Sequence, residues 1–288
     1  MDTTMIKNIL GAYGPSGRED KAAEAIKQYV APYADEVYRD TMGNLIAHKR
    51  GTSGKKIMLS AHMDQIGFIV VAIDEKGFLR VARVGGVNPI ISTAREVVFE
   101  NGVKGVTYFE NTAKHGVNEA TFNELYIDIG CASREEAEKK VAIGDMAVYV
   151  TNYVELGERV ACGAMDDRIC CAIVAEAMKE MKSEHDVYAV FTVQEEVGCV
   201  GAAELDMSLL KSERMIGLDD IGGNSTTICA AGIETAELSF SAPRKASDKA
   251  FFALKIEGLI GGHSGDQIHL TPMQHALLEM FMTSDTHT

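Results

Sequence analysis

Three short apolar runs, each closed by side chains able to bind metals, constrain this chain more than any other feature. Lys56 to Ser60 (KIMLS) delivers Ala61-His62-Met63-Asp64, Asp186 to Val193 (DVYAVFTV) delivers Gln194-Glu195-Glu196, and Met215 to Leu218 delivers Asp219-Asp220. Short apolar runs between turn signals read as buried strands. Just before the second of them, Arg168 to Met181 repeats at a helical period and reads as a crossover helix. Strand and helix alternation of this kind predicts an α/β fold with a mostly parallel sheet and flanking helices. Ligands bind such sheets outside the carboxyl ends of the strands. The placement of His62, Asp64, Glu195, Glu196 and Asp219 therefore predicts a site there, with Asp166 and Asp167 opening the helix beside it.

Taken singly, each element has an ordinary role. An H-x-D can cap a turn, Asp166-Asp167-Arg168 can be a helix N-terminus with acids at its positive end, and Glu195-Glu196 can be a solvated pair. Their occurrence together, each at a strand end, points to chemistry. Two neighbouring divalent ions need a bridging carboxylate plus nitrogen and oxygen ligands, with positions left open for water and substrate. One further carboxylate must stay off the metals to accept a proton from the attacking water and hand it to a leaving amine. Two adjacent acids ending a strand suit that division, because successive side chains diverge. The mixture of imidazole and carboxylates favours Zn²⁺, with Co²⁺ and Mn²⁺ next.

Composition narrows the function classes. With 288 residues, 46% of them hydrophobic, the chain can bury a substantial core. Its formal charge of -14 opposes phosphate backbones and anionic lipid surfaces, so nucleic-acid and membrane partners are not expected. MDTTMIKNIL lacks the apolar run of a signal peptide and no stretch has the length of a membrane span, which gives a soluble, cytoplasmic protein as the expectation. Cys131, Cys162, Cys170, Cys171, Cys199 and Cys229 contain no C-x-x-C pair, and reduced thiols are expected. Paired carboxylates also hydrolyse glycosides. That reading is set aside because the chain has no Trp to stack on sugar rings and more metal-competent groups than the reaction needs.

Ser16-Gly17-Arg18-Glu19 reads as a capping box, followed by a helix whose apolar face is Ala22, Ala25, Ile26, Tyr29 and Val30. Residues 67–152 have another texture: FIVVAI, FLRVARV, EVVFENG, KGVTYF and MAVYV, separated by turn residues and interrupted by one helical stretch, Ser133 to Lys140. Strands this closely spaced cannot be crossover units, so the segment reads as a small β-barrel or sandwich inserted between 1–66 and 153–288 of an α/β domain.

Several of these runs are similar to one family. Gly14-Pro15-Ser16-Gly17, Met42-Gly43-Asn44-Leu45, AHMDQIGF (Ala61 to Phe68), LYIDIG (Leu125 to Gly130), Ile143-Gly144-Asp145, Met165-Asp166-Asp167-Arg168 and Val193 to Gly198 (VQEEVG) resemble the tetrahedral, or deblocking, metallo-aminopeptidases. The resemblance implies a two-metal aminopeptidase acting on short peptides. His62 would bind one metal, Asp166 would bridge both, Glu196 would bind the other and Asp219 would complete the first. Glu195 would be the general base, Asp64 would orient His62, and the bond after Asp166 would be cis. The inserted domain at 67–152 would mediate dimerisation and assembly into larger homo-oligomers.

Beyond Asp219, CAAGIETAELSF and LKIEGLIGGHSGDQIH are similar instead to aminoacyl-histidine dipeptidases. His263 is accordingly the last ligand of the second metal, a lid histidine contacting substrate, or part of a rearranged tail. The ending after Thr283 supplies no further strand or helix and suggests a shortened domain. Two alternative functions follow: an Xaa-His-type dipeptidase, and a catalytically impaired partial homologue.

Overall fold

The computed structural model describes residues 2–110, 122–212, 214–220 and 226–228. Residues 1–221 form one compact unit, to which every element named below belongs.

Two helices lead the chain, α1 (Thr3–Gly11) and α2 (Asp20–Val30), followed by strands β1 (Glu36–Arg39), β2 (Leu45–Lys49) and β3 (Lys56–His62). Strands β4 (Gly67–Ile73), β5 (Leu79–Val84), β6 (Glu96–Phe99), β7 (Lys104–Phe109), β8 (Leu125–Asp128) and β9 (Met146–Tyr149) come next, with a short helix α3 (Arg134–Glu138) before the last. A hairpin, β10 (Val154–Leu156) and β11 (Arg159–Ala161), precedes the long helix α4 (Met165–Glu180). Then come β12 (Asp186–Thr192), the one-turn helices α5 (Val200–Ala203) and α6 (Met207–Leu210), and β13 (Arg214–Gly217).

The main sheet has the order β1-β2-β12-β3-β13. β12 pairs in parallel with β3, and β3 with β13, whereas β2 runs antiparallel to both β12 and β1. The expected mostly parallel sheet is therefore a mixed one. The cause is local. Asp40 accepts hydrogen bonds from the backbones of Gly43 and Asn44, closing a tight turn that folds β2 back on β1. Gly43 takes a φ of 102° there, which favours glycine.

β12 is buried on both faces, as its uninterrupted apolar run requires. On one face Val187, Ala189 and Phe191 join Ile9 and Leu10 of α1, Ile26 of α2, and Cys171, Val174 and Met178 of α4 in a single core. Each fully buried aliphatic or aromatic side chain there contributes about 1.5–3 kcal/mol. Tyr188 and Val190 face the other way, against Ile46, Met58 and Leu210. Among the described residues, α1, α2 and α4 thus all cover the first face, and only α6 reaches the second.

β4 to β9 close a barrel in the order β4-β5-β8-β7-β6-β9, which resolves the choice between barrel and sandwich. Its strands alternate, most plainly in β7, where Gly105, Thr107 and Phe109 are buried between exposed neighbours. Phe68, Val70, Leu79, Val97, Phe99, Phe109 and Ile127 fill the interior as a second core, separate from that of the sheet. Ser133 caps α3 as the sequence indicates. Ser16 does not cap α2. Glu19 precedes that helix without a side-chain cap, and the Ser16 hydroxyl is committed to Asp64 instead. Among the described residues, no helix is long and apolar enough to cross a membrane, and Cys131, Cys162, Cys170, Cys171 and Cys199 are free thiols.

Candidate metal centre

β3 ends at His62, which is buried, and its Nε2 faces four carboxylates. Asp166 Oδ1 lies at 3.0 Å, Glu195 Oε2 at 3.7 Å and Asp219 Oδ2 at 3.9 Å. His62, Asp166 and Glu196 each offer a ligand atom within 4.8 Å of the others, and His62, Glu195 and Asp219 do the same. The structure therefore brings together every residue the sequence nominated except His263, which lies outside the described residues, as do the two segments whose pattern suggested dipeptidases.

Asp64 organises the site from behind. It is fully buried and accepts hydrogen bonds from the Ser16 hydroxyl (2.7 Å) and from the backbone N–H groups of Glu195 (3.0 Å) and Glu196 (3.1 Å). His62 Nδ1 sits 3.3 Å from its Oδ1, an ion-pair distance, although that nitrogen has no hydrogen-bond partner in line among the described residues. One carboxylate thus touches the ends of two strands at once. The turn that makes this possible begins at Gln194, whose left-handed φ of 55° swings the chain so that consecutive N–H groups point at Asp64.

Further clips, whose roles the residue patterns did not reveal, hold the strand ends. Asn44, fully buried, accepts from Val193 N (3.0 Å) and donates to Gly201 O (2.8 Å) and Asp40 Oδ2 (2.7 Å). Glu19 accepts from Gly17 N (2.7 Å) and Gln194 N (3.1 Å). Asp167 accepts from His62 N (3.1 Å). Arg168 is fully buried and donates to Met63 O (2.8 Å), Gly14 O (3.0 Å) and Ala12 O, tying the segment after α1 to the loop after β3. Gly14 is required by that guanidinium, since a Cβ there would lie 2.7 Å from Arg168 Nη2. The Asp166–Asp167 peptide is cis, as the resemblance implies, and these two residues leave the helical conformation at the start of α4.

The electrostatics show surplus negative charge. Burial, and then the charge of Asp166, push the Glu196 carboxyl up to about 7. Burial raises Asp167 to about 6, and burial together with Asp166 raises Asp219. Asp166 is lowered, chiefly by its hydrogen bond with His62. Burial alone would lower the His62 imidazole, but its hydrogen bond with Asp166 and the adjacent Asp64 carboxylate prevail and raise it to about 11. Acids crowded to this degree call for cations, and the donor set of one imidazole nitrogen with carboxylate oxygens suits divalent ions. A cavity of about 530 Å³ opens beside Asp166 and Glu196, walled by residues of the barrel and of the chain entering α4.

The chain is similar in sequence, and over part of its length in fold, to known proteins. A relative from Acetivibrio thermocellus, named for a proposed aminopeptidase activity, is 46% identical over 206 residues, 71% of this chain and 62% of its own. Among solved structures, aminopeptidase APDkam598 from the archaeon Desulfurococcus kamchatkensis superposes with a TM-score of 0.70 at 32% identity, over 76% of this chain and 64% of that one. The TET1 peptidase of Pyrococcus horikoshii, which can assemble into a tetrahedron or a large octahedral shell, gives 0.66 at 32%, over 75% of this chain and 68% of that one. The chain spans less than two thirds of the length of the first two. The family model of the M42 glutamyl aminopeptidases matches residues 43–226, which hold His62, Asp166, Glu195, Glu196 and Asp219, and the chain belongs to that family.

Proposed function

We propose that this protein is a metal-dependent aminopeptidase that removes N-terminal residues from short peptides. The observation that carries the reading is the convergence of Asp166, Glu195, Glu196 and Asp219 on one buried imidazole at the carboxyl ends of three neighbouring strands. Two divalent ions, Zn²⁺ or else Co²⁺ or Mn²⁺, would be held by His62 and Asp219 on one side and Glu196 on the other, with Asp166 shared between them. Bound there, such ions polarise a peptide carbonyl and make water acidic enough to attack it. Glu195 takes the proton from the attacking water and returns it to the leaving amine. Its carboxylate is partly exposed and lies 3.7 Å from the imidazole Nε2. Asp64 fixes the imidazole and, through two backbone N–H groups, the position of Glu195 itself. The barrel formed by β4 to β9 serves assembly into homo-oligomers, a reading supported by the shells of the TET1 relative and by Val106 and Tyr108 exposed on its outer face.

Release of p-nitroaniline from leucine p-nitroanilide, assayed with and without Zn²⁺ or Co²⁺, tests the activity. Turnover that appears with the ions and disappears with a chelator supports it. No turnover with either ion, in a folded sample that binds them, would refute it.

A further inference from the structure

At the amino ends of the parallel strands, opposite the metal centre, the sheet gathers positive charge. β3 pairs with β12, Asp186 beside Lys56, and with β13, Ile57 beside Arg214. That register brings three strand starts together around a cavity of about 300 Å³, lined by Lys55, Lys56, Ile57, His185 and Arg214. Lys56 and His62 are the two ends of β3, so at about 3.3 Å per residue the cavity lies roughly 20 Å from the metal centre. Four basic side chains on one small cavity are unexpected in a chain of net charge -14, and like charges held together repel unless an anion joins them. The acid that opens β12 is already engaged: Asp186 Oδ1 accepts from Gly51 N (2.7 Å) and its Oδ2 lies 3.2 Å from His48 Nε2. Among the described residues, no carboxylate forms an ion pair with Lys55 or Arg214. The loop before β3 is fixed against the segment before β12, since Thr52 N and Ser53 N both donate to Glu184 O at 2.8 Å. Ser53 Oγ accepts from Lys55 N (3.2 Å) and lies 2.6 Å from His185 Nδ1. With that hydroxyl donating to Nδ1, the ring proton sits on Nε2, a further donor.

We infer that this cavity binds a small phosphorylated molecule by its phosphoryl group. Such a group carries about two negative charges and three strong acceptor oxygens, which a guanidinium, two ammonium groups and an imidazole N–H can satisfy together. A carboxylate, with a single charge, would leave most of the positive charge unmatched. The cavity is larger than inorganic phosphate fills and reaches the lower end of the range for small-molecule pockets, so the ligand carries an organic part, for which Ile57 supplies apolar contact. Enclosure in a cavity favours a small anion over a nucleic-acid backbone, which the chain's overall charge repels.

Calorimetric titration of inorganic phosphate, glycerol phosphate and acetate into the full-length protein tests the site. The same titrations are made on Lys55→Gln, Lys55→Arg and Arg214→Gln, which alter exposed side chains, and on Asp166→Asn, which alters the metal centre; an unchanged Tm confirms that the first three fold. Phosphate and glycerol phosphate should bind saturably, glycerol phosphate more tightly, and acetate at least about 10-fold more weakly. Lys55→Gln and Arg214→Gln should each weaken phosphate binding about 10- to 100-fold, while Lys55→Arg and Asp166→Asn preserve it. No saturable binding at millimolar phosphate, acetate bound as tightly as phosphate, or binding undiminished in either glutamine variant would overturn the site. Binding lost in Asp166→Asn would place the anion at the metal centre and overturn it as well.

Discussion

Substituting Gly201 by alanine tests whether the clip around Asn44 sets the position of the strand end that carries Glu195 and Glu196. A Cβ at 201 would lie 2.4 Å from Val193 O, 2.5 Å from Asn44 Oδ1 and 2.8 Å from Val193 Cγ2. The first contact is to backbone and cannot be relieved by a rotamer change. Overpacking of this kind costs about 1–3 kcal/mol. Alanine in a helical turn such as α5 recovers up to about 1 kcal/mol relative to glycine. With that gain subtracted the net loss is up to about 2 kcal/mol, which lowers Tm by up to about 8 °C for a unit of this size. Because Val193 leads directly into Gln194-Glu195-Glu196, kcat should fall as well, while metal content is retained. Gly11→Ala is the control, since a Cβ there meets nothing within 4 Å, and it should leave Tm unchanged or slightly raised. Scanning calorimetry on both variants decides the matter. A Gly201→Ala protein as stable and as active as Gly11→Ala would refute the assignment of that contact to the strand end.

Three further outcomes follow from the same geometry. Asn44→Ala leaves Val193 N and Gly201 O without buried partners and should cost about 2–4 kcal/mol, read as a lowered urea midpoint with unchanged slope. Glu195→Gln should keep its ions by elemental analysis while kcat drops about 10²- to 10⁴-fold, and retained turnover would remove Glu195 from the role of base. Added Zn²⁺ at about 100 times its Kd should stabilise the folded protein by about 2.7 kcal/mol, seen as a rise in Tm that vanishes in Asp166→Asn.

The sequence made the strands β3, β12 and β13 legible because each is an apolar run stopped by acids, a pattern that needs no knowledge of neighbours. The pairing of β12 with β2 was not legible, since strand direction there is set by the Asp40–Asn44 turn and by which strands meet across the sheet. The barrel's closure likewise depends on β9 pairing with both β4 and β6, contacts between segments tens of residues apart. β8, β10 and β11 went unread as strands because they are short, and the hairpin is exposed throughout. Ser16 shows why a local signature can mislead. Its spacing to Glu19 fits a capping box, but a buried carboxylate 48 residues away competes for the same hydroxyl and wins. Asn44 and Arg168 act largely through backbone atoms, and no pattern of side chains announces such partners. For Arg168 a faint signal existed in Gly14, a glycine in a segment that its guanidinium crosses.

Anomalous diffraction from crystals of the protein grown with Co²⁺ tests the central claim most directly. Two cobalt peaks are predicted beside the His62 imidazole, one toward Asp219 and one toward Glu196, with Asp166 between them. Peaks only on surface acids, or none near His62, would contradict the account.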